Sequence, residues 1–322
     1  MLPRPLLAVA FATGLATAQQ HWAFVAPVRP GVPVVQDDDW AQNDVDRFVL
    51  ARMHSEGLAP SAEATPGELL RRVTLDVTGL PPTLEELAAF ENDRRPDAYQ
   101  RVVDRLLASP AAAEEQTRIW LDLSRYADTH GMQRDQVRAL WRWRDQVLDA
   151  FATDMPFDRF VTEQLAGDLQ ANATIAQRVM SGFNRCNPSS DEGGLIPPEY
   201  LARYAMDRTE TVGPALLGLT LGCAQGHDHK YDPLTQRDYY RLFAYFASFD
   251  ENGNDGGGLA PKPAVTAPSE AQLRELQQRR AAVAAMTAPS DGWTALTCAG
   301  AGTLTLLPDG SLRGDGPAPE RG

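Results

Sequence analysis

The stretch SPAAAEEQTRIWLDLSRYAD, residues 109–128, decides how the rest of the chain is read. Ser109 caps the open N–H groups of a helix start, and Pro110 suits the first helical position, where no N–H is needed. The helix so opened carries Trp120 and Leu121, and its pattern predicts an end near Asp128. The same start signals recur outward in both directions. Thr83-Leu84-Glu85-Glu86 is a capping box, and Thr65-Pro66-Gly67-Glu68 combines an N-cap, a proline and an acidic third residue. Asn43 caps a helix running to about Glu56, with Val45, Phe48, Val49 and Met53 on one face. Toward the C-terminus, helical patterns cover 136–152, 156–165, 175–183, 198–221 and 236–249, and Pro214 bends or splits the fourth of them. Short loops join these helices, with no strand-like alternation of comparable length. The fold class that follows is mainly α, a multi-helix globular domain.

The flanks read differently. A basic start, the apolar run Leu6–Leu15 and Ala16-Thr17-Ala18 have the parts of a secretory signal peptide, residues 1–18, so the protein is expected to be exported, periplasmic or extracellular. The run is shorter than the roughly 20 apolar residues of a membrane span, and no later stretch replaces it. The helical domain is placed at 19–250, after a Pro- and Val-rich lead-in over 21–36. Residues 251–268, rich in Gly and Pro, read as a linker. A charged helix over 269–287 follows. Residues 288–322 read as the start of a β domain: Trp293–Cys298 continue no helix, and Ala301–Leu312 spell strand, Asp-Gly turn, strand. The chain is expected to be truncated there.

An apolar fraction of 43% with six Trp and eleven Phe supports a packed core, and the net charge of −13 argues against nucleic-acid binding and against anionic membranes. Three cysteines, Cys186, Cys223 and Cys298, leave at least one unpaired within the chain and make no disulfide scaffold.

The densest chemistry lies in Gly222–Pro233, a polar loop between two apolar helices. Three readings stay open. Cys223 and His227 have the frame of a covalent haem site, Cys-x-x-Cys-His, with Gly226 at the second thiol position. Cys223, His227 and His229, with Asp228 or Asp232, offer donors for a divalent metal such as zinc or iron. The same groups can instead brace the loop by hydrogen bonds. A second cluster runs from Asp122 to Gly131, with Asp122 and Arg125 on one helix face and Asp128 and His130 in the loop beyond. A third spans Asn187–Gly194, followed by Asp207-Arg208. Asp128, His130, Asp207 and His229 are the candidates for acid–base catalysis of hydrolase or lyase type, against an ion-pair role. If they act together, Asp122 or Asp128, His130, Asp207 and the His227–Asp232 loop should converge on one pocket.

Five separated segments resemble one family: His21–Phe24, Asp76–Thr83, Trp120–Asp128, Phe160–Asp168 and Leu217–Pro233. The chain is similar over about residues 20–250 to the planctomycete cytochrome-c-like domain, a domain of unknown function in large exported proteins. The resemblance implies an exported protein, with genomic company that suggests polysaccharide processing. It also implies haem c at the loop matched by Cys223 and His227, where Gly226 departs from the family's second cysteine, while His229–Pro233 keep its pattern. A polysaccharide or a redox protein is the implied partner, and a non-catalytic scaffold for such a partner is a third functional reading.

Overall fold

The structure, a computed structural model, describes residues 22–36, 38–132, 134–254, 258–285, 303–306 and 312–315. The signal peptide expected at 1–18, Trp293–Cys298 and the Asp309-Gly310 turn lie outside the described residues. Among the described residues the chain is mainly α, with helices α1 (Asp44–Ser55), α2 (Pro66–Thr78), α3 (Leu84–Asn92), α4 (Ala98–Leu107), α5 (Pro110–Ser124), α6 (Trp141–Ala152), α7 (Phe157–Ala166), α8 (Ile175–Met180), α9 (Pro197–Val212), α10 (Gly222–Gly226), α11 (Gln236–Phe246) and α12 (Glu270–Ala285). Two strands, β1 (Thr303–Leu306) and β2 (Leu312–Asp315), pair antiparallel. The chain divides into two compact units, one ending at Leu69 and the other beginning at Leu70.

In the first unit, Asn43 and Asp46 form the capping box that starts α1. Its buried residue is Leu50, while Val45, Phe48 and Val49 are exposed. The expected inner face is therefore rotated. The inward stripe passes through Leu50 and the half-buried Arg47 and Met53, spaced three residues apart.

The second unit is built mainly around a large apolar cluster. Trp120 of α5, Trp143 and Val147 of α6, Phe160 of α7, Met180 of α8, Ala205 of α9 and Phe246 of α11 all belong to it. Trp120 meets Phe160 edge-on, with ring centroids 4.9 Å apart. An indole N–H buried in such a cluster needs an acceptor. Buried Gln164 serves two, its Oε1 accepting from Trp143 Nε1 at 3.1 Å and from Trp120 Nε1 at 3.4 Å.

Two element ends differ from expectation, and a third element breaks at Pro214 as expected; each bears on the site. Helix α5 stops at Ser124, not Asp128, because Arg125 takes the left-handed conformation with φ 58°. The pattern over 136–152 becomes helical only at Trp141, and residues before it form an isolated bridge between Thr129 and Val137. Helix α9 ends at Val212 and passes into a π turn, Gly213–Leu217, that holds Pro214 and closes at Gly218 with φ 64°.

Among its described residues, 251–254 and 258–268, the expected linker has no regular secondary structure, yet these are tied to the second unit as a strap. Tyr204 donates to Gly253 O at 3.1 Å, and the Ala139 N–H donates to Leu259 O at 2.6 Å. Arg142 donates to Ala267 O and Pro268 O at 3.0 and 3.1 Å. A side chain at Gly253 would collide with the carbonyl of Pro197, so the close approach requires glycine there. By contrast α12 is exposed from Ala271 to Ala285, with Leu273, Leu276 and Val283 open to solvent.

Candidate functional site

The polar clusters of the second unit form two arrays of opposite character. The first is buried. From α9, Arg208 donates through Nε to Asn184 O at 2.6 Å and through Nη2 to Asn187 Oδ1 at 2.9 Å. The same guanidinium grips Glu251 at the root of the strap by two bonds of 2.6 and 2.7 Å and lies over the Phe249 ring. Glu251 also pairs with Arg185. The side chains of Arg208 and Glu251 are each 3% exposed, so their charges depend on this two-pronged geometry to offset desolvation. Beside them Arg138 donates to the carbonyls of Asn187 and Arg185.

His130 is buried in the same array, with Nδ1 2.7 Å from Ser189 Oγ and Nε2 3.2 Å from Gly258 O. A carbonyl can only accept, so Nε2 carries a proton, and in the neutral ring Nδ1 accepts from the Ser189 hydroxyl. Arg125, freed from the helix by its left-handed turn, pairs with Asp207 through Nη1 at 2.7 Å and also binds Thr211. Hydrogen bonding to Asp207 holds the Arg125 guanidinium pKa above its ordinary value. Burial pushes the Cys186 thiol up to about 12, which leaves it protonated and unreactive. Asp128 sits at the rim, exposed, accepting from Tyr126 Oη at 2.6 Å. Burial, then the bond to Asp128, raises the Tyr126 phenol. Asp122 faces Arg118 at 3.5 Å rather than Arg125, whose side chain is taken by Asp207.

The second array is exposed. Helix α10 is anchored by Ala224, which clusters with Leu221 and Tyr239, and it presents Cys223 to solvent. A loop was expected over this turn, but the chain is helical to Gly226 and becomes extended at His227. His227 is exposed, and its Nδ1 lies 2.7 Å from Asp228 O. That carbonyl holds a proton on Nδ1, and in the neutral ring the Nε2 lone pair is left for a ligand. His229 is used in the opposite way. Its Nδ1 accepts from the backbone N–H groups of Asp232 and Tyr231 at 2.9 and 3.3 Å, and its side chain is 6% exposed. Asp228 accepts the Gln236 N–H at the start of α11, where Thr235 and Asp238 form a capping box.

These bonds sort the candidate residues. Asp128 and His130 belong to one loop, Asp207 to the Arg125 pair, and His229 to the backbone N–H groups of Tyr231 and Asp232. No hydrogen bond or ion pair among the described residues joins the Asp128–His130 loop or Asp207 to the His227–Asp232 loop. Hydrogen bonding therefore does not draw the expected acid–base set into one array. The four-donor metal set of Cys223, His227, His229 and Asp232 fares similarly, since the His229 Nδ1 lone pair is spent on backbone. Among the described residues no three of His, Cys, Asp and Glu are grouped so as to hold a metal ion. Cys223 and His227 are both exposed, and a Cβ built on Gly226 would meet nothing within 4 Å, so the backbone there has room for the missing cysteine.

The family described as PSCyt2, protein of unknown function (DUF1549), matches residues 44–251. The chain belongs to this family. The DUF1549 match takes in both polar arrays and ends at Glu251, the carboxylate that Arg185 and Arg208 share. No curated protein and no solved structure matches the chain. Among its described residues, no helix is long and apolar enough to cross a membrane.

Arg208, Asn187 and Glu251 organise the buried array, yet the sequence points to none of them as partners. Glu251 lies 66 and 43 residues from the two arginines it joins. Only the polar clusters Asp122–Gly131 and Asn187–Gly194 and the Asp207-Arg208 pair signal the region.

Proposed function

We propose that this DUF1549 member is an exported helical module of extracellular or periplasmic polysaccharide processing, in which Cys223 and His227 hold haem c. The observation that carries this reading is the His227 Nδ1 bond to Asp228 O beside an exposed thiol. It supplies an oriented imidazole four residues beyond an exposed thiol, just past the end of a helix anchored by Ala224. Cys223 Sγ is the group for a single thioether, and His227 Nε2 the group for iron ligation. Bound haem would supply one-electron transfer to or from a redox partner. The rest of the loop positions these two residues: His229 pins the Tyr231–Asp232 backbone, and Asp228 caps α11.

The acid–base reading has less behind it, because His130 uses both ring nitrogens and Asp207 is committed to Arg125. A divalent metal at this loop would lack His229, whose Nδ1 accepts from backbone, and among the described residues no three of His, Cys, Asp and Glu are grouped to hold one, where a stable site wants three or four donors. The test is expression of the exported protein with c-type maturation machinery, followed by absorbance before and after denaturation. A Soret band that stays with the denatured chain and disappears in Cys223→Ala supports the reading. A folded protein with no band overturns it.

A further inference from the structure

Tyr126 packs against the apolar cluster of the second unit, its ring stacked on that of Trp143 with centroids 5.7 Å apart. Trp143 and Trp120 are buried, and their indole N–H groups donate to the same oxygen, Gln164 Oε1. Three oxidisable rings are thus linked from core to rim by one stack and one shared acceptor. Their proton acceptors differ in kind. Trp143 also donates to Met180 O, so the indoles face only uncharged carbonyl oxygens, which accept a hydrogen bond but do not take a proton. Tyr126 Oη instead donates to the exposed Asp128 carboxylate at 2.6 Å.

We propose that Trp120, Trp143 and Tyr126 form a relay that carries an oxidising equivalent out of the core and leaves it on Tyr126, with Asp128 taking the phenol proton. A dissolved one-electron oxidant removes an electron from Trp120 or Trp143 and leaves an indole radical cation. With no base at hand the indole keeps its proton, and a positive charge among apolar side chains is costly. An electron from the Tyr126 ring fills the vacancy as the Oη–H proton moves to Asp128. A neutral phenoxyl radical remains at the rim. A dissolved thiol then supplies an electron, Asp128 returns the proton, and the thiol's own proton goes to water. Burial, then the bond to Asp128, raises the phenol pKa, so Tyr126 enters this sequence protonated. The relay needs nothing bound at the Cys223 loop.

The test exposes the full chain to a photogenerated ruthenium(III) tris-bipyridine oxidant and locates each oxidised residue by peptide mass spectrometry. In Tyr126→Phe, which keeps a ring at this position, oxidation at Trp143 and Trp120 is expected to rise several-fold over the wild type. Tyr231, exposed and outside the cluster, should be oxidised equally in both. Asp128→Asn retains an acceptor oxygen but no base and should expose the indoles in the same way, while Asp128→Glu should restore protection. Equal oxidation of the two indoles in wild type and Tyr126→Phe, at any level, overturns the relay. A rise in Tyr126→Phe without one in Asp128→Asn overturns the part assigned to the carboxylate.

Discussion

The Arg208–Glu251 array and the Cys223–Asp232 loop are comparably rich in ionisable groups, yet only one of them is available for chemistry. In the buried array each named charge is spent on a partner inside the protein: Arg208 on Glu251, Arg125 on Asp207, His130 on Ser189 and Gly258. In the exposed loop the spending is selective. His229 and Asp228 are committed to backbone N–H groups, and Cys223 and His227 are left over on the same rigid frame. Density of reactive residues in a sequence thus marks where polar groups gather. Their availability follows from which lone pairs the backbone has already claimed.

The sharpest way to break this contrast is Glu251→Gln. It leaves Arg185 and Arg208 without their shared countercharge and should cost about 3–5 kcal/mol in urea unfolding. A loss comparable to that of an ordinary surface change would show the array to be dispensable. A smaller effect is expected of His229→Ala, which removes the acceptor for two loop N–H groups. About 1–2 kcal/mol should be lost, with faster hydrogen exchange at Tyr231 and Asp232 while α9 stays protected.

Smaller still is Gly226→Cys. Its side chain enters open space, so stability should move by less than about 0.5 kcal/mol. The restored Cys-x-x-Cys-His should take haem through two thioethers in a maturation-competent host, and a chain that folds but takes none would remove the frame argument. The least effect is expected at the exposed cap of α11. Hydrogen bonds from the Thr235 side chain, then its backbone, lower the Asp238 pKa, so its contribution is present above about pH 4 and lost as pH falls through the lowered pKa. Fraying of α11 confined to acid below that point, followed by amide chemical shifts, is the expected outcome. Fraying near neutral pH would contradict the assignment.

Much of the helical frame was legible because its start signals are local. Ser109, Thr83 and Asn43 each hold the cap their sequence suggests. Helix α4 lacks such a signal, since Asp97 makes no side-chain cap bond, and it went unread. The end of α5 was misplaced because the left-handed turn at Arg125 goes with a bond to Asp207, 82 residues away. Strap and linker look alike in composition, because what holds 251–268 in place is largely backbone carbonyls receiving side chains of distant helices. The loop at Cys223–Asp232 stood out by residue type, but the split between His227 and His229 depends on the turn that aims the N–H groups of Tyr231 and Asp232.

The most direct measurement is mass spectrometry of the denatured, protease-digested protein after export from a haem-loading host. Haem carried on the peptide that contains Cys223, with His227→Ala altering the optical spectrum of the folded protein, is the predicted result. An unmodified Cys223 thiol in correctly folded protein from that host would contradict the account.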